Sequence, residues 1–138
     1  MALQGLDGKF YRIKYTKDNS DRKTSELHKK AKSIIKKVFR FSFLAEEVPV
    51  NIFKDKILYL DFYLPSVGVL VEVHGKQHYE YCHHFHGSKF NFVKAKENDK
   101  LKIKWAKLNG IIYVELSYNE SELEWEGKIR AAHEELSR

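Results

Sequence analysis

The sequence predicts an α/β fold, and three observations predict it. Leu27, Ala31, Ile34, Ile35 and Val38 recur at the spacing of one helix face. Two short β-branched and aromatic runs, Ile57–Leu64 and Val69–His74, flank the turn signal Pro65-Ser66-Val67-Gly68 and read as a hairpin. A long helical stretch from Ser88 to Asn109 then gives way, across Asn109-Gly110, to the strand pattern Ile111–Leu116. A chain of 138 residues suits one domain and not two.

Taken in order, residues 1–22 form an N-terminal extension. Lys9–Tyr15 alternates and reads as an edge strand or an arm, and Asp18-Asn19-Ser20 reads as a turn. A helix opens at Thr24-Ser25, either of which can cap it, and Glu26 in its first turn complements the helix dipole. Its other faces carry Lys29, Lys30, Lys32, Lys36, Lys37 and Arg40, either a solvated face or a row of phosphate contacts. Val48-Pro49-Val50 marks a first strand, preceded by Glu46 and Glu47 as surface charges, and Lys54-Asp55-Lys56 is a polar turn. In the helix of 88–109 the expected buried side is Phe92, Ala95, Leu101, Trp105 and Leu108. Ser121-Glu122-Leu123-Glu124 is a capping box that opens a C-terminal helix with Leu123, Ile129, Ala132 and Leu136 along it. No repeat, low-complexity tract or linker interrupts the chain.

Hydrophobic residues make up 43% and aromatic residues 14%, which argues against global disorder. Lys and Arg number 25 against 19 Asp and Glu, for a net charge of +6 and a pI of about 9.3. That balance favours a polyanionic partner, most simply nucleic acid. Cys82 is the single cysteine, so no internal disulfide can form and a reducing compartment is expected. Met1–Tyr15 lacks a signal-peptide core, and no apolar run reaches transmembrane length. The expectation is a soluble intracellular (cytoplasmic) protein without membrane attachment.

The informative stretch is Leu60–Tyr79. Asp61 and Glu72 lie inside otherwise apolar strands, and a buried, unpaired carboxylate is expensive. Period-two alternation puts Glu72 and His74 on one face, with Val71 and Val73 on the other. A hard divalent cation is one partner that would compensate such carboxylates. Five of the seven histidines fall between 74 and 86, and Tyr79, Tyr81 and Phe85 are interleaved with them. The segment 78–86 reads as a flexible loop that touches nucleic acid. Structural Zn²⁺ is the lesser alternative, since one Cys and adjacent histidines match no standard ligand spacing.

The pattern D-F-x(9)-E-x-H-G-x-Q-H-Y, from Asp61 to Tyr79, resembles the core of the PD-(D/E)XK nuclease superfamily. More narrowly, it resembles the branch containing very-short-patch-repair endonucleases and the phage EDxHD homing endonucleases. The stretch from Asn98 through Trp105 to Leu116 is similar to the helix and strand that follow the catalytic hairpin in phage members, and Lys23–Leu27 is similar to their opening helix. The likeness covers residues 23–118 as a catalytic core, with 119–138 a C-terminal helix outside it.

The resemblance implies a restriction-endonuclease-like αβββαβ core, a central mixed sheet flanked by helices. It implies a metal-dependent endodeoxyribonuclease using Mg²⁺ or Mn²⁺, either homing-type or specific for branched DNA. Asp61 and Glu72 would hold the metal. His78 would be the general base, with His74 at the position where the superfamily has lysine. Gln77 would position water or phosphate, and Glu26 and Asp99 would complete the site from two helices. Lys29, Lys30, Lys36, Lys37, Lys76, His83 and His84 would contact DNA, and a homodimer would read two half-sites. Short-patch-repair nucleases carry a zinc segment at the place of 78–86, but its second cysteine is missing here. A catalytically inactive nucleic-acid-binding relative of the same fold is the alternative.

Overall fold

The computed structural model describes residues 2–14 and 25–137. The expected turn at Asp18–Ser20 and the residues Lys23 and Thr24 lie outside them. A short hairpin of β1 (Ala2–Gln4) and β2 (Phe10–Arg12) comes first. Then follow α1 (Glu26–Val38), β3 (Ala45–Phe53), β4 (Lys56–Leu64), β5 (Val69–His74), a 3₁₀ turn (Lys76–His78), α2 (His83–His86), α3 (Lys89–Leu108), β6 (Ile112–Ser117) and α4 (Glu122–Glu135). The fold is α/β, with a mixed four-stranded sheet in the order β3-β4-β5-β6. β3, β4 and β5 are antiparallel neighbours, and β6 runs parallel to β5 after the α3 crossover.

Local chemistry sets these boundaries. Ser25 caps α1 by accepting from the His28 N–H, Ser88 caps α3 through Asn91, and Ser121 caps α4 through Glu124. Gly68 (φ 67°) closes the β4–β5 turn, its N–H donating to the Leu64 carbonyl at 2.8 Å.

Helices cover both faces of the sheet. On one face Ala31, Ile35 and Phe39 from α1 and Trp125, Ile129 and Ala132 from α4 pack on Phe62, Leu64, Val69, Val71, Val114 and Leu116. On the other, Trp105 and Ala106 of α3 pack on Ala45, Val48, Val50, Ile52, Leu60, Tyr63 and Leu70. The N-terminal hairpin joins that second layer through Leu3, and the Asn109 side chain latches it by bonding both Gln4 N–H and Gln4 C=O at 2.8 Å. Among the described residues no helix is long and apolar enough to cross a membrane.

Three expectations change. Leu108, Leu123 and Leu136 are exposed. Trp105 in α3 and Ile129 and Ala132 in α4 are buried as expected, and Ala106 and Trp125 join them over the sheet. Glu46 is not a surface charge: Lys32 bonds it at 2.9 Å, and His28 at 3.2 Å. Segment 78–86 is not a featureless loop, since a 3₁₀ turn and α2 occupy most of it.

The burial of α4 is directly measurable. Trp125→Ala, at a 1% exposed position, should cost about 3–5 kcal/mol in urea unfolding. Leu123→Ala, at an 81% exposed position on the same helix, should stay within about 0.5 kcal/mol of wild type.

Candidate active site

The hydrogen-bonded ladder between β4 and β5 holds Leu64↔Val69, Tyr63↔Leu70 and Phe62↔Val71, then stops. The next pair would be Asp61 opposite Glu72. There the two side chains take over the ladder: the Asp61 N–H donates to Glu72 Oε2 at 2.6 Å, and the Val73 N–H donates to Asp61 Oδ2 at 2.9 Å. The strands fork, and the carboxylates satisfy backbone donors that the lost pairing would orphan.

The same row contains a second irregularity. Leu60 packs in the α3 layer and Phe62 in the α1–α4 layer, although two residues apart on a strand share a face in regular geometry. On β3, Glu46 reaches α1 while Val48 packs in the α3 layer. Both strands therefore switch faces at one step, between the pairs Glu46↔Phe62 and Val48↔Leu60. Glu47 sits at that step with φ 50°. A left-handed non-glycine residue costs roughly 1–2 kcal/mol, so the switch is held against strain.

Glu72 is 1% exposed. Lys102, from α3, donates to its Oε1 at 2.6 Å. Burial, with the Asp61 charge second, pushes the Glu72 carboxyl up to about 8 against the pull of Lys102. Burial works against the charge of Lys102, but Glu72 and Asp61 outweigh it and hold the ammonium above its usual range.

His78 lies beside this fork. Its Nδ1 is 2.9 Å from Asp99 Oδ2. His74 is 3% exposed and stacks on His78, with centroids 4.0 Å apart and planes 8° from parallel. A cleft of about 440 Å³ opens over Asp61, Glu72, Gln77, His78 and Lys102, with Ser25, His28, Glu47 and Phe85 on its walls.

The structure thus brings Asp61, Glu72, Gln77 and His78 to one cleft, with Asp99 behind His78 and His74 beneath it. Glu26 is not among the cleft-lining residues; it is exposed and pairs with Lys29 at 3.4 Å, leaving Ser25 and His28 to line the cleft at that end of α1. Three lysines expected to meet DNA have acidic partners: Lys29 with Glu26, Lys30 with Glu122 and Lys37 with Glu126. Lys76 pairs with Glu80. His83 bonds the Tyr81 hydroxyl, His84 packs edge-on against Phe85, and His86 Nδ1 accepts from the Cys82 N–H. Among the described residues, Cys82 and its neighbouring histidines are not gathered into a metal-ligand group.

Sequence reading missed Lys102, Glu47, His28 and Glu115. Lys102 had a usable signal, since it lies three residues after Asp99 and so on the same helix face. Glu47 had none, because its role comes from a backbone switch that no pattern announces.

No family model matches the chain, and no solved structure matches it. It is 34% identical over 61 residues to two uncharacterised viral proteins, 033L of Invertebrate iridescent virus 3 and 307L of Invertebrate iridescent virus 6. The shared stretch is 44% of this chain and 31% of each relative, so the chain matches less than a third of their length.

The fork makes stability depend on pH in a defined direction. Without divalent metal, Glu72 holds its proton in the folded state up to about 8, against an ordinary value of 4.5. Its contribution is fully present below 4.5 and is lost as pH rises towards 8. In EDTA, the melting temperature should fall between these limits, and Glu72→Gln should flatten that fall. Lys102→Met should extend it to higher pH, because Glu72 loses the positive charge that favours its ionised form.

Proposed function

We propose that this chain is a metal-dependent DNA endonuclease whose centre is the fork between β4 and β5. One observation carries the reading: two carboxylates meet on adjacent strands, one of them bonded to a lysine ammonium, in a cleft lined by His78, which pairs with Asp99. The order α1-β3-β4-β5-α3-β6 supports a restriction-endonuclease-like core. The superfamily pattern puts a lysine two residues after the second carboxylate, where this chain has His74. Lys102 brings an ammonium to Glu72 from α3 instead.

The donor set at the fork fits Mg²⁺ or Mn²⁺, being oxygen-only, with no hydrogen bond to Asp61 Oδ1 among the described residues. Asp61 and Glu72 would hold the ion, which when bound would neutralise charge on the scissile phosphate. A cation there would act on Glu72 as Lys102 does, drawing it to its charged form. The remaining chemistry belongs to the side chains. With Asp99 accepting from Nδ1–H, His78 keeps the lone pair on Nε2, the form that takes a proton from an attacking water. Gln77 lines the cleft beside it and can orient water or a phosphate oxygen.

The DNA-binding face extends from α1, where Lys36 is exposed and has no acidic partner among the described residues, to α3. Among the described residues Lys89, Lys100, Lys104 and Lys107 have no acidic partner, and all are exposed on the helix that carries Asp99 and Lys102. Unneutralised lysines are the ones that can release counterions from a phosphate backbone. The two viral relatives support a viral source for the chain.

A second reading has one observation in its favour. Both Glu72 oxygens already accept hydrogen bonds, from Asp61 and from Lys102, as they would in a non-catalytic DNA-binding relative.

Supercoiled plasmid and a branched DNA, each incubated with Mg²⁺, Mn²⁺ or EDTA, separate the two. The nuclease reading expects metal-dependent nicking or cutting that falls by at least about 10²-fold in Asp61→Ala and in His78→Ala. Salt-sensitive binding with no cleavage of either DNA would overturn it in favour of the second reading.

A further inference from the structure

One buried group has no role in the fork. His74 Nε2 is buried and has no hydrogen-bond partner among the described residues. Its other nitrogen, Nδ1, lies 3.4 Å from Glu115 Oε1, and the Tyr79 hydroxyl donates to Glu115 Oε2 at 2.7 Å. One ligand atom each from His74, His78 and Asp99 lie within 4.8 Å of one another. Among the described residues they are the one such group of three.

We propose that His74, His78 and Asp99 bind a borderline divalent transition ion, with Zn²⁺ as the type, at a site separate from the Asp61–Glu72 fork.

Four features support it. Two imidazoles and one carboxylate suit zinc-like ions, whereas the oxygen-only fork suits magnesium-like ones. An ion supplies the missing partner of the buried His74 nitrogen. Glu115 behind the opposite ring nitrogen, itself held by Tyr79, is the carboxylate–histidine support that orients metal-binding imidazoles. Tetrahedral ligands about 2.0–2.2 Å from one ion stand roughly 3.4 Å apart, so the group closes by small side-chain movements. Three protein ligands leave a position open. If His78 is the proton acceptor of the proposed nuclease, the ion occupies it and inhibits cleavage. That consequence rests on the nuclease reading, whereas the site itself does not.

Co²⁺, added to metal-free full-length protein and followed by its visible absorption, is the probe. The expected result is one equivalent bound, displaced by Zn²⁺ and not by excess Mg²⁺. Binding should be lost in His74→Gln, weakened about tenfold in Glu115→Gln and retained in Asp61→Asn. Glu115→Gln keeps the test decisive should His74→Gln fail to fold. Three results would overturn the site: no absorption from folded wild type, a signal unaffected by both His74→Gln and Glu115→Gln (which would assign it to the outer histidines), or a signal lost in Asp61→Asn. Co²⁺ binding without any DNA cleavage would leave this site standing and the nuclease reading fallen, and cleavage without Co²⁺ binding would do the reverse.

Discussion

A carboxylate at 1% exposure in a central strand needs a partner, and Glu72 finds two: the Asp61 N–H and the Lys102 ammonium, each at 2.6 Å. The geometry around the cleft depends on that arrangement. Lys102 comes from α3, so the ion pair fixes the rotation of the helix that also carries Asp99. Asp99 in turn fixes the tautomer and direction of His78. A stack of two apolar layers would fold without any of these charges. Ion pairs in an interior are weak contributors to stability, and perturbed charges of this kind cluster at functional sites.

The fork itself follows from strand geometry. β4 and β5 separate after Phe62↔Val71, and β3 and β4 together switch faces one step further along. The two events place Glu47, Asp61 and Glu72 on successive strands at the floor of one cleft. The strain at Glu47 lies at that floor and nowhere else on the sheet: among the described residues it is the one non-glycine with positive φ. Beside the fork, His74, Glu115 and Tyr79 form a second polar layer that the fork chemistry does not use.

Much of this was legible in the sequence. Period-two alternation assigned Glu72 and His74 to one face, and both are buried towards α3. The Pro65–Gly68 turn, the Ser121 capping box and the Asn109-Gly110 stop set the boundaries correctly, because capping and left-handed turns depend on local chemistry. What failed to show was tertiary. Lys29, Lys30 and Lys37 read as free cations, yet their partners include Glu122 and Glu126, which lie far away in sequence on α4. Lys102 went unnamed although its spacing from Asp99 put it on that helix face, and packing against β5 makes it the partner of Glu72. Leu108 and Leu123 lie in the last and first turns of their helices and stay exposed, while Trp105 and Trp125 pack over the sheet.

The central claim is that the Asp61–Glu72 fork is a cation site in which Lys102 stands as the resident positive charge. Isothermal titration with Mg²⁺ tests it most directly, in wild type, Asp61→Asn and Lys102→Met. The account predicts binding by wild type, loss in Asp61→Asn and tighter binding in Lys102→Met, where the competing ammonium is gone. No binding by folded wild type, or binding indifferent to Asp61→Asn, would contradict it.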